Sequence, residues 1–108
     1  MAITNIQKRD GRIVPFDAQK IVSAISLAFL ATKTPEEDTA APSLTQEVVA
    51  MLELEAEDTP TVEHIQDLVE LALMRGGYAP AAKAYILYRE RRNRARQMNT
   101  RLMQKYEE

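Results

Sequence analysis

Apolar residues recur along this chain with two different periods, and the change from one to the other divides a short β segment from a long helical one. From Ile3 to Gln7, and again from Ile13 to Phe16, β-favouring residues flank Asp10-Gly11. That dipeptide is the strongest short-range signal for a tight hairpin. From Ala18 the period becomes helical, with Ile21, Ala24, Ile25, Ala28 and Phe29 repeating at three- and four-residue steps as far as Ala31. Asp17 is a suitable N-cap for this helix, and Phe16 and Ile21 hold the two positions of a hydrophobic staple. Thr32 to Pro42, with two prolines and three acids, reads as a loop.

Ser43 followed by Gln46 forms a capping box, so a second helix is expected with Leu44, Val48, Met51 and Leu52 inward. Glu53 to Asp58 reads as its frayed acidic end and the next loop. Thr61 and Val62 can add a short third strand, with Thr61 then capping a third helix built on Ile65, Leu68, Val69, Ala72 and Leu73. Gly76-Gly77 ends that helix, because glycine accepts the left-handed backbone of a C-cap. Pro80 suits the first turn of a fourth helix, whose apolar stripe is Ala81, Ala84, Tyr85, Leu87 and Tyr88. From Arg89 the pattern turns basic and continues past the stripe, as in a helix that leads to another domain or a partner. The expected fold is mainly α, a four-helix bundle covered by a small N-terminal β-hairpin.

Composition narrows the classes. At 108 residues the chain is one domain, large enough to bury roughly 65% of its unfolded surface. It has no cysteine, which excludes disulfides and thiolate metal sites, and its lone His64 cannot anchor a metal cluster. No apolar run reaches the ~20 residues of a membrane span and no signal-peptide pattern follows Met1, so a cytoplasmic protein is expected. The net charge of −2 hides an asymmetry: eleven of the sixteen acids lie between Glu36 and Glu70, and seven of the fourteen bases between Arg89 and Lys105. Nucleic-acid binding calls for a basic balance over the whole domain, and it is disfavoured here.

The candidate chemistry gathers in Lys8-Arg9-Asp10-Gly11-Arg12 and Lys20. A two-residue turn at Asp10-Gly11 sets Arg9 opposite Arg12, a destabilising like-charge pair that an anion would relieve. Lys20 falls in the first turn of a helix, where the dipole prefers acids. Cations at a hairpin tip and a helix N-terminus suit a phosphate group. A solvated hairpin with scattered cations is the alternative. There is no Walker pattern and no dinucleotide fingerprint, so side chains and helix ends must hold any nucleotide. Nothing resembles a nucleophile–base pair or a paired carboxylate in a pocket, and no enzyme is expected. His64 is expected to face solvent, and Tyr78, Tyr85 and Tyr88 to belong to the core or its rim.

The opening segment closely resembles that of the ATP-cone, the small nucleotide-sensing domain of many ribonucleotide reductases and of a bacterial repressor of reductase genes. Val62-Glu63-His64-Ile65-Gln66-Asp67-Leu68-Val69-Glu70 resembles the family's third-helix segment, and Ala82-Lys83-Ala84-Tyr85-Ile86-Leu87-Tyr88-Arg89 its last-helix signature. The resemblance covers residues 3 to 95, nearly the whole chain. Residues 1–95 are therefore expected to form the cone and 96–108 a helical extension or connector, either of an excised N-terminal domain or of a free-standing cone. The zinc ribbon that precedes the cone in the repressor needs cysteines and has no counterpart here.

The resemblance implies that Lys8, Arg9 and Lys20 hold a triphosphate, with Arg91 reaching it from the last helix. Lys83, Leu87 and Arg91 are four apart and share a helix face, which makes Lys83 a further candidate cation, or a lysine snorkelling beside the bundle. Ile6, Phe16, Ile21 and Val62 match positions around adenine and ribose, although staple packing explains Phe16 and Ile21 equally well. Gln66, histidine in several members, can pair with the adenine edge. Asp17 is first a cap, with a ribose hydroxyl contact secondary. The implied function is allosteric and non-catalytic: ATP and dATP, with Mg²⁺, compete for one site and control a reductase subunit in cis or in trans through a nucleotide-dependent homo-oligomer. The alternatives are a degenerate cone serving as a helical interaction module, and the cone of a transcriptional regulator.

Overall fold

A computed structural model of the chain describes residues 3–33, 40–55 and 58–107, with side chains as far as residue 95. Its elements are β1 (Asn5–Gln7), β2 (Ile13–Pro15), α1 (Ala18–Ala31), α2 (Ala40–Glu55), α3 (Val62–Arg75) and α4 (Ala79–Glu107). The fold is the expected helical bundle with an antiparallel N-terminal hairpin.

The hairpin turns differently from the expectation. Gln7 pairs with Ile13 and Ile6 with Val14, and the last backbone bond before the turn joins the Lys8 N–H to the Arg12 carbonyl at 2.8 Å. Three residues, Arg9-Asp10-Gly11, make the loop, so Lys8 and not Arg9 stands across from Arg12. The reason is local. A two-residue turn would need positive φ at both Asp10 and Gly11, whereas here Gly11 alone takes it, at 89°. Asp10 instead accepts the Arg12 backbone N–H at 3.1 Å and its Nε at 2.7 Å. Those bonds, the backbone one foremost, hold the Asp10 carboxyl below its ordinary pKa. Arg12 thus carries its own carboxylate, and the like-charge argument for a bound anion at the tip falls away.

Caps set the helix bounds. Asp17 accepts the Gln19 N–H at 3.0 Å and Thr61 the His64 N–H at 3.1 Å, starting α1 and α3 as expected. The third strand is reduced to a single parallel bridge between Gln7 and Thr61, supported by the Gln7 N–H donating to the Pro60 carbonyl at 3.0 Å. Val62 is already helical. At the end of α3 it is Gly77, with φ 84°, that turns left-handed, while Gly76 stays right-handed against Tyr78. The Tyr78 N–H then returns to Leu73 and that of Gly77 to Met74, a Schellman closure.

α2 begins three residues before the expected Ser43 cap, and the capping box does not form. Ala40 and Ala41 are strong helix formers, and Pro42 falls in the first turn, where its missing N–H would have no partner in the helix. The remainder of the expected loop, residues 34–39, lies outside the described residues, as do 56 and 57 in the expected acidic one. His64 keeps its side chain 39% exposed, with Nε2 2.5 Å from Glu55 Oε2, tying the start of α3 to the end of α2.

Each helix packs on two others, α1 and α3 both lying against α2 and α4. Ile25, Val48, Leu52, Val69, Leu73 and Ala81 are sealed at the centre. Ile3, Ile6 and Phe16 bring the hairpin onto this core. α4 buries Ala81, Ala82 and Tyr85, but Leu87 and Tyr88 of its expected stripe are 44% and 38% exposed. With 29 residues, α4 is about 43 Å long against about 21 Å for α1 and α3, so its second half outruns the helices it could pack on.

Ile25→Ala is expected to cost about 2–5 kcal/mol of unfolding free energy in urea, whereas Leu30→Ala, on the exposed side of α1, stays within about 0.5 kcal/mol.

Candidate functional site

A groove of about 490 Å3 opens between the hairpin, α1, α3 and α4. Its walls follow from helical spacing. Asp17, Lys20, Ile21, Ala24 and Leu27 form one side from α1, and Val62, Gln66 and Val69 form the other from α3. Ile6, Lys8 and Phe16 close it from the hairpin, and Tyr85, Tyr88, Arg89 and Arg92 run along α4. Volumes of this order suit a small organic ligand.

The groove brings together Ile6, Lys8, Phe16, Asp17, Lys20, Ile21, Val62 and Gln66 of the residues singled out from the sequence. Arg9 is turned aside, its Nη1 3.1 Å from Glu63 Oε1 in the first turn of α3. Leu87 and Arg91 line a second, smaller cleft of about 200 Å3 between α1 and α4, and Lys83 lines neither.

The sequence reading missed the α4 contribution to the main groove. Steps of three, four and seven residues from buried Tyr85 lead to Tyr88, Arg89 and Arg92; the phase chosen from Lys83 points to the neighbouring cleft instead. The signal was present, since Tyr85 stood in the expected stripe. Leu87 disguised it by continuing the apolar pattern on an exposed face.

The two arginines have different surroundings. Arg89 is a clasp: Nη1 donates to Asp67 Oδ1 at 2.8 Å and Glu70 Oε1 at 2.9 Å, and Nη2 to the Glu63 carbonyl at 3.1 Å. Burial works against its charge, and the bonds to Asp67 and Glu70 more than offset that, raising its pKa. Arg92 lies over the Tyr88 ring, 5.7 Å from its centre, and donates to the Tyr88 hydroxyl at 2.9 Å. Lys20 forms no ion pair among the described residues. Between these cations sits an unmet group, Gln66 Oε1, which is buried and has no hydrogen-bond partner among the described residues.

The groove therefore offers cations and apolar side chains, and one of its lining residues, Gln66, carries a buried amide oxygen with no partner among the described residues. That combination fits a ligand with an anionic end and a flat, hydrogen-bonding, largely apolar end. The described residues hold no cluster of three acidic, histidine or cysteine ligands. None of the described helices is long and apolar enough to cross a membrane.

The ATP cone domain model matches residues 4–94. The vitamin B12-dependent ribonucleoside-diphosphate reductase of Thermoplasma acidophilum is 41% identical over 100 residues, which cover 88% of this chain and 13% of that protein. The ribonucleoside-diphosphate reductase subunit alpha of Chlamydia pneumoniae is 41% identical over 102 residues, 88% of the chain and 10% of the protein. The anaerobic ribonucleoside-triphosphate reductase of Escherichia coli is 36% identical over 100 residues, 93% of the chain and 14% of the protein. The chain thus spans a small fraction of the length of each of these relatives.

Tyr85 gives the groove a pH signature. Burial pushes its phenol up from 10.0 to about 12, with Arg89 pulling the other way. A folded-state pKa above the unfolded value contributes stability that is complete below about pH 10 and lost as pH rises through about 12. Urea titrations between pH 9 and 12 are expected to show this loss in the native chain and a smaller one in Tyr85→Phe.

Proposed function

Because the chain belongs to the ATP cone family, we propose that its groove is a regulatory site that ATP and dATP fill in competition, controlling a ribonucleotide reductase without taking part in catalysis. The observation that carries this reading is Gln66. A buried acceptor left unpaired costs about 1–3 kcal/mol, so the amide gains by turning into the groove it lines, where the amino group of adenine is a donor suited to it. Ile6, Phe16, Ile21 and Val62 supply apolar surface for base and ribose around that acceptor. Asp17, primarily the cap of α1, offers a ribose hydroxyl a secondary contact.

Lys8 and Lys20 hold the triphosphate, which brings Mg²⁺ with it, and Arg9 lies one residue from Lys8 at the rim. Arg92 takes the part first assigned to Arg91 as the cation from α4, because it and not Arg91 lines the groove. Lys83, Leu87 and Arg91 then belong to the outer face rather than to the ligand.

ATP and dATP differ by one hydroxyl, so control requires that the two favour different packings or associations. Ala24, Leu27, Tyr85 and Tyr88 wall both the groove and the smaller apolar cleft, and Leu27 and Leu87 of that cleft are exposed. A ligand that shifts Tyr88 or Leu27 reshapes this outer face, which supports control through the oligomeric state of a cytoplasmic reductase subunit, joined in cis or in trans. Residues from 96 onward continue α4 as a connector beyond the cone.

Titration calorimetry with ATP, dATP and GTP in magnesium, with light scattering on the same samples, tests this reading. Micromolar binding of both adenine nucleotides, weaker GTP and a different particle size with dATP are expected; no binding of any nucleotide would sink it. Lys8→Ala and Lys20→Ala should each weaken ATP by roughly 1.5–3 kcal/mol, the scale of a hydrogen bond to a charged group. Gln66→Leu should erode the preference for ATP over GTP while leaving the phosphate contribution in place.

A further inference from the structure

One hairpin cation beside the groove is already paired with a carboxylate. Lys8 lines the groove, but Arg9, the next residue, is held at 3.1 Å by Glu63. Glu63 occupies the first turn of α3, where the positive end of the helix dipole favours a carboxylate. It is also one residue from Val62 and three from Gln66, both in the groove wall. A resident carboxylate therefore sits beside the groove wall and holds the cation next to Lys8. We propose that Glu63 is an intramolecular competitor of the triphosphate: its carboxylate holds Arg9 in the ligand-free chain, and Arg9 must exchange it for phosphate oxygens when the nucleotide binds. This inference rests on the groove being the nucleotide site.

The strength of the pair suits such an exchange. Arg9 and Glu63 side chains are 29% and 56% exposed. An ion pair this open is worth little, so the latch is easily broken, yet it offsets part of the binding free energy. The framework beside it does not depend on it. Thr61, not Glu63, caps α3, and Arg89 takes the Glu63 backbone carbonyl rather than its carboxylate. Removing the carboxylate thus frees Arg9 and leaves the helix start and the clasp intact.

The same features assign Glu63 a role in setting affinity. The latch makes the empty site electrically quieter and makes binding weaker than the cations alone would allow. It also joins ligand binding to a rearrangement of the hairpin tip, since Arg9 cannot serve Glu63 and the triphosphate fully at once.

A double-mutant cycle on the full chain tests this, with calorimetric titration of Mg²⁺–ATP into wild type, Glu63→Gln, Arg9→Ala and the double variant. Glu63→Gln is expected to tighten ATP by about two- to fivefold, and Arg9→Ala to weaken it. In the Arg9→Ala background Glu63→Gln is expected to change nothing. An unchanged or weaker affinity in Glu63→Gln would overturn the proposal, and so would a gain that persists without Arg9, which would mark simple charge repulsion. Failure of the wild-type chain to bind ATP would instead remove the nucleotide reading and the latch with it.

Discussion

The groove exists because Arg89 holds α4 against α3. One guanidinium meets two carboxylates and a backbone carbonyl along a single face of α3, at Glu63, Asp67 and Glu70. These positions are separated by about one helical turn each, so the clasp fixes both distance and rotation between the helices. Its side chain is 16% exposed, where removing one partner of a charge pair leaves the others uncompensated. Tyr85, Tyr88 and Arg92 lie within one turn of Arg89 on α4, and their aim into the groove depends on this registration. Gln66 lies on the same stretch of α3, beside Asp67. The acceptor and the α4 cation are thus positioned by one interaction.

Under the proposed reading a nucleotide is held without a glycine-rich loop, by side chains from three helices and a hairpin. Such a site is adjustable where its cations are loosely held. Arg92 rests on Tyr88, Arg9 on Glu63, and Arg89 is committed to α3. That graded set, from a fixed clasp to loosely held rim cations, is what a sensor needs if small ligand differences are to alter packing outside the site. The walls shared between the groove and the outer cleft give that alteration a route to the surface.

Much of this was legible in the sequence where a local chemical device sets the structure. Asp17, Thr61 and Gly76-Gly77 carry their capping chemistry in the residue type, and α1 and α3 match their expected bounds. Where two devices competed, the reading failed. Pro42 signals a break as readily as a first turn, so α2 began too late. Asp10-Gly11 signals a two-residue turn, but the Asp10 carboxylate prefers the Arg12 N–H and shifts the register by one residue. The α4 face was misphased because exposed Leu87 mimics a core position. The Arg9–Glu63 and Arg89–Asp67 pairs link residues more than twenty positions apart, and no spacing rule reaches them.

The proposed nucleotide site is one groove walled by the hairpin, α1, α3 and α4. Backbone amide spectra of the isotope-labelled chain, titrated with Mg²⁺–ATP and then with dATP, test it most directly. Signals of Lys8, Lys20, Gln66 and Arg92 are expected to shift together, those of α2 to remain in place, and dATP to displace ATP at the same residues. Shifts confined to α2, or to the second half of α4, would contradict it.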